Sequence, residues 1–281
     1  MTTLVIVCAK PTNFGFLPNS LTVTKESPNS ASVQMDREGI DVITELLEAN
    51  ACDWAMFDER PRLADFRLLA MDMDATTIRN ETLDEMADLA GVGSEVKAIT
   101  EKAMRGELDY EASLRARVAT MKGLPCSLYE DVIRERLQIQ PQIETWLAAL
   151  DANGIDRILI SGGFQPVVDH FVEKLGYQAG FANRMTIKEG RFTGELEGEL
   201  VDSHYKAKRL KARAQSLGIA MSQTIAIGDG ANDIPMLTAA GIGVGYHPKP
   251  AVVAHADIVL RHTGYETLSL FFNLIRGIPH S

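Results

Sequence analysis

Leu68-Leu69-Ala70-Met71-Asp72-Met73-Asp74-Ala75-Thr76 is the stretch from which the fold is read. Its four leading apolar residues show no alternation, which predicts a short strand buried on both faces. Side chains alternate along a strand, so Asp72 and Asp74 point the same way where the run ends. Two carboxylates converging there repel unless a cation or a proton is shared between them. Two readings stay open. In one, a carboxylate attacks phosphorus, the other moves protons, and Mg²⁺ offsets the charge. In the other, the pair is a polar turn after a strand.

The same grammar recurs downstream. Ile158-Leu159-Ile160 leads into Ser161-Gly162-Gly163, Thr224-Ile225-Ala226-Ile227 into Gly228-Asp229-Gly230, Ile242-Gly243-Val244 into Gly245, and Ile258-Val259-Leu260 into Arg261. Helical segments separate most of these runs, as with Trp146, Leu147 and Leu150 ahead of Gly154. Strands alternating with helices predict an α/β fold, a doubly wound parallel sheet whose chemistry gathers beyond the carboxyl ends of its strands. Asp72, Ser161 and Asp229 are the polar strand ends aimed at that crevice.

The Ser161-Gly162-Gly163 turn suits phosphate through its amides and hydroxyl, although small residues at such turns are often structural. In Gly228-Asp229-Gly230-Ala231-Asn232-Asp233, Asp229 and Asp72 can supply oxygens to Mg²⁺, while Asp233 reads equally as a helix cap. Pro235 follows in the first turn of a predicted helix.

Two basic residues fall where basic residues seldom do. Lys206 lies on the apolar face of a helix with Leu210, Ala214 and Leu217, whereas Lys208 lies opposite. It either meets the crevice carboxylates and a phosphate, or snorkels at the stripe edge. Arg117 lies within the stripe Tyr110, Leu114, Val118 and Met121, while Arg115 faces away. Arg117 either forks onto a substrate carboxylate or joins a structural ion pair with Glu81 or Glu111.

The whole chain sets bounds. Its 281 residues, 46% hydrophobic and 23% charged, describe an ordinary globular protein. A net charge of −10 gives nucleic-acid binding no global support. No run approaches the ~20 apolar residues of a membrane helix, and Leu4-Val5-Ile6-Val7 reads as a strand rather than a signal peptide. Cys8, Cys52 and Cys126 have no metal or redox spacing and are expected as buried or incidental thiols in a reducing cytoplasm. The six histidines form no pair with zinc-ligand spacing, so the expected metal is a hard one.

Residues 1–62 are expected to form a small α+β unit of uncertain role. Its strands would be Thr3 to Cys8, Leu21 to Thr24, Ala31 to Met35 and Cys52 to Phe57. Its helix would bury Val42, Ile43, Leu46 and Leu47 and stop at Asn50. The charged Asp58-Glu59-Arg60-Pro61-Arg62 marks the boundary to a core of residues 63–281. About 80–137 reads as helices only, a cap inserted over the crevice, with Gly91, Gly106 and Gly123 at helix ends. Thr82-Leu83-Asp84-Glu85 and Ser127-Leu128-Tyr129-Glu130 fit capping boxes.

Taken together, these residues resemble the phosphoserine phosphatase branch of the haloacid dehalogenase superfamily. The resemblance runs from about Leu68 to Leu260, leaves out the first unit, and rests on four motifs in the family's order: Asp72-Met73-Asp74-Ala75-Thr76, Ser161-Gly162-Gly163-Phe164, Lys206, and Gly228-Asp229-Gly230-Ala231-Asn232-Asp233. The subfamily is indicated by Glu81-Thr82-Leu83-Asp84-Glu85, Leu114-Arg115-Ala116-Arg117-Val118 and Phe181-Ala182-Asn183-Arg184.

The resemblance implies Mg²⁺-dependent hydrolysis of O-phospho-L-serine through an aspartyl phosphate, the last step of serine biosynthesis, in the cytoplasm. It makes Asp72 the nucleophile and Asp74 the general acid and base. Mg²⁺ would sit on Asp72, the Asp74 carbonyl and Asp229, and phosphate on Ser161, Gly162 and Lys206. Glu81 would meet the substrate ammonium, Arg117 its carboxylate and Asn232 the substrate side, with Asp233 and Thr76 in support. The family usually has serine where this chain has Ala75. A phosphotransferase acting on an amino-acid alcohol such as homoserine, or a non-catalytic amino-acid sensor, are the alternatives. A homodimer is compatible with the family, but no residue selects it.

Overall fold

The computed structural model describes residues 2–273. Along them run strands β1 Thr2–Cys8, β2 Val23–Lys25 and β3 Ser30–Met35, helix α1 Ile40–Ala49, and strands β4 Cys52–Phe57 and β5 Leu68–Met71. Helices α2 Thr82–Leu89, α3 Gly93–Met104, α4 Tyr110–Ala119, α5 Leu128–Glu135 and α6 Ile143–Ala152 follow. Then come β6 Asp156–Phe164, α7 Gln165–Leu175, β7 Ala179–Lys188, β8 Arg191–Glu197 and α8 Ser203–Ser216. The chain continues through β9 Thr224–Gly228, α9 Ile234–Ala239, β10 Ile242–Tyr246, α10 Pro250–Val253, β11 Ile258–Leu260 and α11 Tyr265–Leu268.

A four-stranded sheet has the order β2-β3-β1-β4, and a seven-stranded sheet the order β11-β10-β9-β5-β6-β7-β8. In the larger one β9, β10 and β11 pair in parallel, as do β6 and β7, while β8 runs antiparallel to β7. All four residues of β5 are buried, as the unbroken apolar run predicts. The β7–β8 hairpin was not foreseen. It turns through Glu189 and Gly190, both at positive φ (52° and 74°), the geometry of a two-residue primed turn.

The chain divides into two compact units. One comprises Met1–Leu69, Pro141–Asp156 and Ala214–Ser281; the other comprises Ala70–Gln140 and Arg157–Arg213. In the first, Phe66 and Trp146 both pack their rings on Phe272. The four-stranded sheet has its own core, including Leu4, Ile6, Val33, Ile43 and Leu47. In the second, Tyr129 packs on both Phe164 and Phe192. Each fully buried aromatic or branched side chain of this kind contributes about 1.5–3 kcal/mol.

Several expectations need correction. Cys8 and Cys52 are not free thiols: they face each other across the antiparallel β1/β4 pair and form a disulfide. Strand register brings together residues whose 44-residue separation shows no pattern. On α1, Ile43 and Leu47 are buried, but Val42 is 74% exposed and Leu46 37%. The pairs Val42/Leu46 and Ile43/Leu47 occupy adjacent rows about 100° apart, and only one row meets the sheet. Neither capping box forms, since no side-chain cap bond exists at the start of α2 or of α5. Gly91, Gly106 and Gly123 do carry positive φ beyond the ends of α2, α3 and α4. No helix among the described residues is long and apolar enough to cross a membrane.

Candidate active site

In the second unit, β5 delivers Asp72 into a buried position, 4% exposed, immediately beyond its last residue. Asp72 Oδ1 accepts the Met73 amide at 2.7 Å, and Thr77 Oγ1 donates to the Asp72 carbonyl at 2.7 Å. Lys206 Nζ lies 2.8 Å from Asp72 Oδ2. Lys206 is wholly buried on α8, whereas Lys208 is exposed and pairs with Glu199. The inward reading of Lys206 is thereby met. On the same helix face Leu210 and Ala214 are buried, but Leu217, just past the end of α8, is 38% exposed.

Asp74 is placed by a turn in which the Thr76, Thr77 and Ile78 amides all donate to the Met73 carbonyl. Ala75 holds a left-handed conformation, φ 54°, with its amide on the Asn80 carbonyl and its own carbonyl accepting Gln140 Nε2. A non-glycine residue there carries backbone strain, on the order of 1 kcal/mol. Thr76 is fully buried in the same turn. Burial, with the nearby Glu81 charge, pushes the Asp74 carboxyl up to about 7. Thr82 Oγ1 donates to Asp74 Oδ1 at 2.5 Å and pulls the other way. That bond explains the missing capping box: Thr82 spends its hydroxyl on Asp74, and Glu85 instead accepts Asn80 Nδ2. Glu81 itself is exposed at the N-terminus of α2. Sequence reading missed Thr82 as a partner of Asp74, since a Thr-x-x-Glu pattern signals a cap and nothing more.

Ser161, Gly162 and Gly163 are not a free turn but a continuation of β6, with a register irregularity against β7 between Ile160 and Phe164. Ser161 is fully buried and its Oγ accepts the Gly163 amide at 2.9 Å. A Cβ at Gly163 would stand 3.1 Å from Ser161 Oγ and 3.4 Å from Asp74 Oδ2, so glycine gives this segment its close approach and a larger residue would push its neighbours by a few tenths of an ångström. Arg117 on α4 keeps its Nε buried with no hydrogen-bond partner among the described residues. Arg115, one position on the other side of Ala116, pairs with Glu111 at 2.8 Å. The arginine that pairs with Glu111 is therefore Arg115, not Arg117.

In the first unit, β9 ends at Gly228 and presents Asp229, 6% exposed, with Asp233 wholly buried. Their carboxylate oxygens lie within 4.8 Å of each other. Asp233 Oδ2 accepts the Gly230 amide at 3.1 Å and makes no cap bond to α9. A Cβ at Gly228 would lie 2.3 Å from Asp233 Cγ, which is why glycine precedes Asp229. Pro235 occupies the first turn of α9, and Asn232 is half-buried. Exposed Lys249 reaches Asp229 Oδ2 at 3.2 Å. Two buried carboxylates offering only oxygen donors fit a hard divalent cation.

A family model described as haloacid dehalogenase-like hydrolase matches residues 69–238. The chain belongs to this family. This hydrolase is 45% identical over 208 residues to the phosphoserine phosphatase of Haemophilus influenzae, covering 74% of this chain and 66% of that protein. It is 41% identical over 230 residues to the phosphoserine phosphatase of Vibrio cholerae serotype O1, covering 82% and 70% respectively. The hydrolase thus spans about two thirds of the length of these relatives. A crystal structure of a probable phosphoserine phosphatase from Vibrio cholerae, in unliganded form, matches with a TM-score of 0.82 at 34% identity. It covers 96% of the hydrolase and 85% of its own chain, so the structural likeness takes in the N-terminal strands that the motif resemblance left out.

Proposed function

We propose that this hydrolase cleaves O-phospho-L-serine to L-serine and phosphate through a phosphoryl group held on Asp72. The observation that carries the proposal is the buried Asp72–Lys206 pair, 2.8 Å apart, in the same unit as an Asp74 carboxyl pushed up to about 7. A carboxylate paired with a lysine offers an oxygen nucleophile, and a carboxyl pushed up to about 7 can give and take a proton. An Asp72 oxygen attacks phosphorus and the bond from phosphorus to the serine oxygen breaks. Asp74 gives its proton to that oxygen. In the second half, Asp74 takes a proton from water as the water oxygen attacks phosphorus and releases Asp72. Ser161, Gly162 and Lys206 hold the phosphate oxygens, and Asn232 borders the substrate.

A divalent cation, Mg²⁺ in this reading, would be held by Asp72, the Asp74 carbonyl and Asp229, with Asp233 in support. What supports it is the donor chemistry in each unit: Asp72 is buried in one, Asp229 and Asp233 are buried in the other, and all offer oxygen alone. When bound, the ion supplies charge neutralisation for the transferring phosphoryl group.

Arg117 is assigned to the substrate carboxylate because its buried Nε lacks an acceptor among the described residues, and Glu81 to the ammonium on the strength of the family resemblance. The matching relatives named phosphoserine phosphatase favour water as acceptor over an alcohol. The intact set of Asp72, Asp74 and Lys206 argues against a non-catalytic sensor.

Phosphate release from a panel of phosphorylated amino acids and sugars tests the proposal, with Mg²⁺ and with chelator. Phosphoserine should lead the panel and chelator should stop the reaction; a flat panel or chelator-indifferent turnover would overturn it. Arg117→Ala should lower kcat/KM for phosphoserine by about 10²-fold, the scale of a charge-assisted bidentate contact, and far less for an aryl phosphate without a carboxylate. Equal losses on both would remove the clamp.

The Asp74 carboxyl makes a signed pH prediction. As the acid it must be protonated, so kcat/KM falls as pH rises through its pKa. Thr82→Val removes a bond to the charged form and should move this falling limb to higher pH. Glu81→Gln removes a like charge and should move it to lower pH. Profiles read relative to the parent cancel the titration of the substrate; shifts in the same direction would refute the assignment. The same raised pKa means that the folded protein keeps a proton the unfolded chain releases between about 4 and 7. Its contribution to stability is therefore lost as pH rises through that window.

A further inference from the structure

One hydroxyl in the second unit ties together elements that the proposed reaction needs in register. Asn183 on β7 is 1% exposed and uses both ends of its amide. Its Nδ2 donates to the Gly162 carbonyl at 2.8 Å, and its Oδ1 accepts the Val201 amide at 2.9 Å. Val201 in turn accepts, on its carbonyl, the hydroxyl of Tyr110 at 2.8 Å. Immediately after Val201, Asp202 precedes α8 and bonds its first turn: its carboxylate takes the Tyr205 amide at 2.7 Å and its carbonyl the Lys206 amide at 3.1 Å. The Tyr110 hydroxyl also walls Gly162, where an added Cβ would come within 2.9 Å of it.

Tyr110 is the first residue of α4, and Arg117 follows seven residues later on the same face. Packing of α4 on α3 and β8 holds the helix, and Asp109 caps it through the Ala112 amide. Apolar packing has no preferred direction, and the cap bond stays within α4. A directional hydrogen bond at the first turn fixes how the helix is rotated and how far it slides.

We infer that Tyr110 is a positioning residue: its hydroxyl latches α4 to the Gly162–Asn183–Val201 node and so sets Arg117 against the phosphate-holding segment. The inference rests on the proposed phosphoserine reaction and deepens it. The Tyr110 hydroxyl is committed to the Val201 carbonyl, and its effect is exerted through Arg117.

Tyr110→Phe keeps the ring and deletes the latch. Steady-state kinetics should show a fall in kcat/KM for phosphoserine of about 5- to 10-fold, the weight of one hydrogen bond, carried by KM. Loss on an aryl phosphate should be several-fold smaller. In an Arg117→Ala background the further loss on phosphoserine should vanish, because the arginine through which Tyr110 acts is gone. Additive losses, or equal losses on both substrates, would overturn the latch. A parent protein that releases no phosphate from phosphoserine would sink the reaction instead. The latch then stands or falls on amide hydrogen exchange, with faster exchange in the first turns of α4 for Tyr110→Phe supporting it and unchanged exchange refuting it.

Discussion

Asp72→Asn is expected to abolish phosphate release from phosphoserine in a protein that still folds but is less stable, because buried Lys206 loses its counterion. Asparagine matches aspartate in shape, so the Met73 amide and the Thr77 hydroxyl keep their acceptors. What disappears is an anionic oxygen able to bond to phosphorus. Uncatalysed phosphomonoester hydrolysis is so slow that accelerations up to ~10²¹ are needed, and a covalent route divides that demand between two easier steps. Loss of the nucleophile should cost at least roughly 10⁴-fold, the scale seen for single members of covalent-catalysis units. Rapid-quench measurement of phosphate, and mass spectrometry for a phosphorylated intermediate in the parent, check both halves. Substantial turnover by the asparagine variant would remove the aspartyl-phosphate mechanism, however well the fold matches its family.

The second large effect is on stability as well as activity. Lys206 is fully buried and Asp72 nearly so, and their 2.8 Å pair lies out of reach of solvent screening. Removing one partner of a buried pair costs about 3–5 kcal/mol, because the remaining charge loses its counterion inside the protein. Lys206→Met should therefore lower the urea midpoint sharply and stop phosphate binding as well. The exposed pairs Lys208–Glu199 and Arg115–Glu111 make the contrast, since breaking either should cost no more than about 1 kcal/mol. The Asp72→Asn/Lys206→Met double variant should recover most of the lost stability, because neither charge then remains. A Lys206→Met variant as stable as the parent would mean that the pair is not buried in solution.

The inward lysine and the split between Arg115 and Arg117 were legible from helical periodicity. A 3.6-residue repeat fixes which face a side chain takes before any partner is known. The strands around Asp72, Ser161 and Asp229 were equally legible, because an apolar run that ends in a polar residue is a local pattern. The hairpin of β7 and β8 carried a readable signal in Glu189-Gly190 that reading for parallel strands passed over.

Other features leave no trace at sequence range. The Cys8–Cys52 bond exists because β1 and β4 pair in one register and not its neighbour. Val42 and Leu46 fit the helical stripe as well as Ile43 and Leu47 do, and only the position of the sheet chose between the two rows. Thr82 reads as a cap and serves Asp74 instead; Tyr110 reads as core and presents its hydroxyl to Val201. The sequence by itself determined the strand–helix alternation, the faces of the helices and the chemical identity of the charged groups. The tertiary structure alone decided which strands sit opposite which and which hydroxyl meets which acceptor. Periodicity is a property of neighbours in the chain, whereas register and hydrogen-bond partnership depend on distances set by chain segments far apart in sequence.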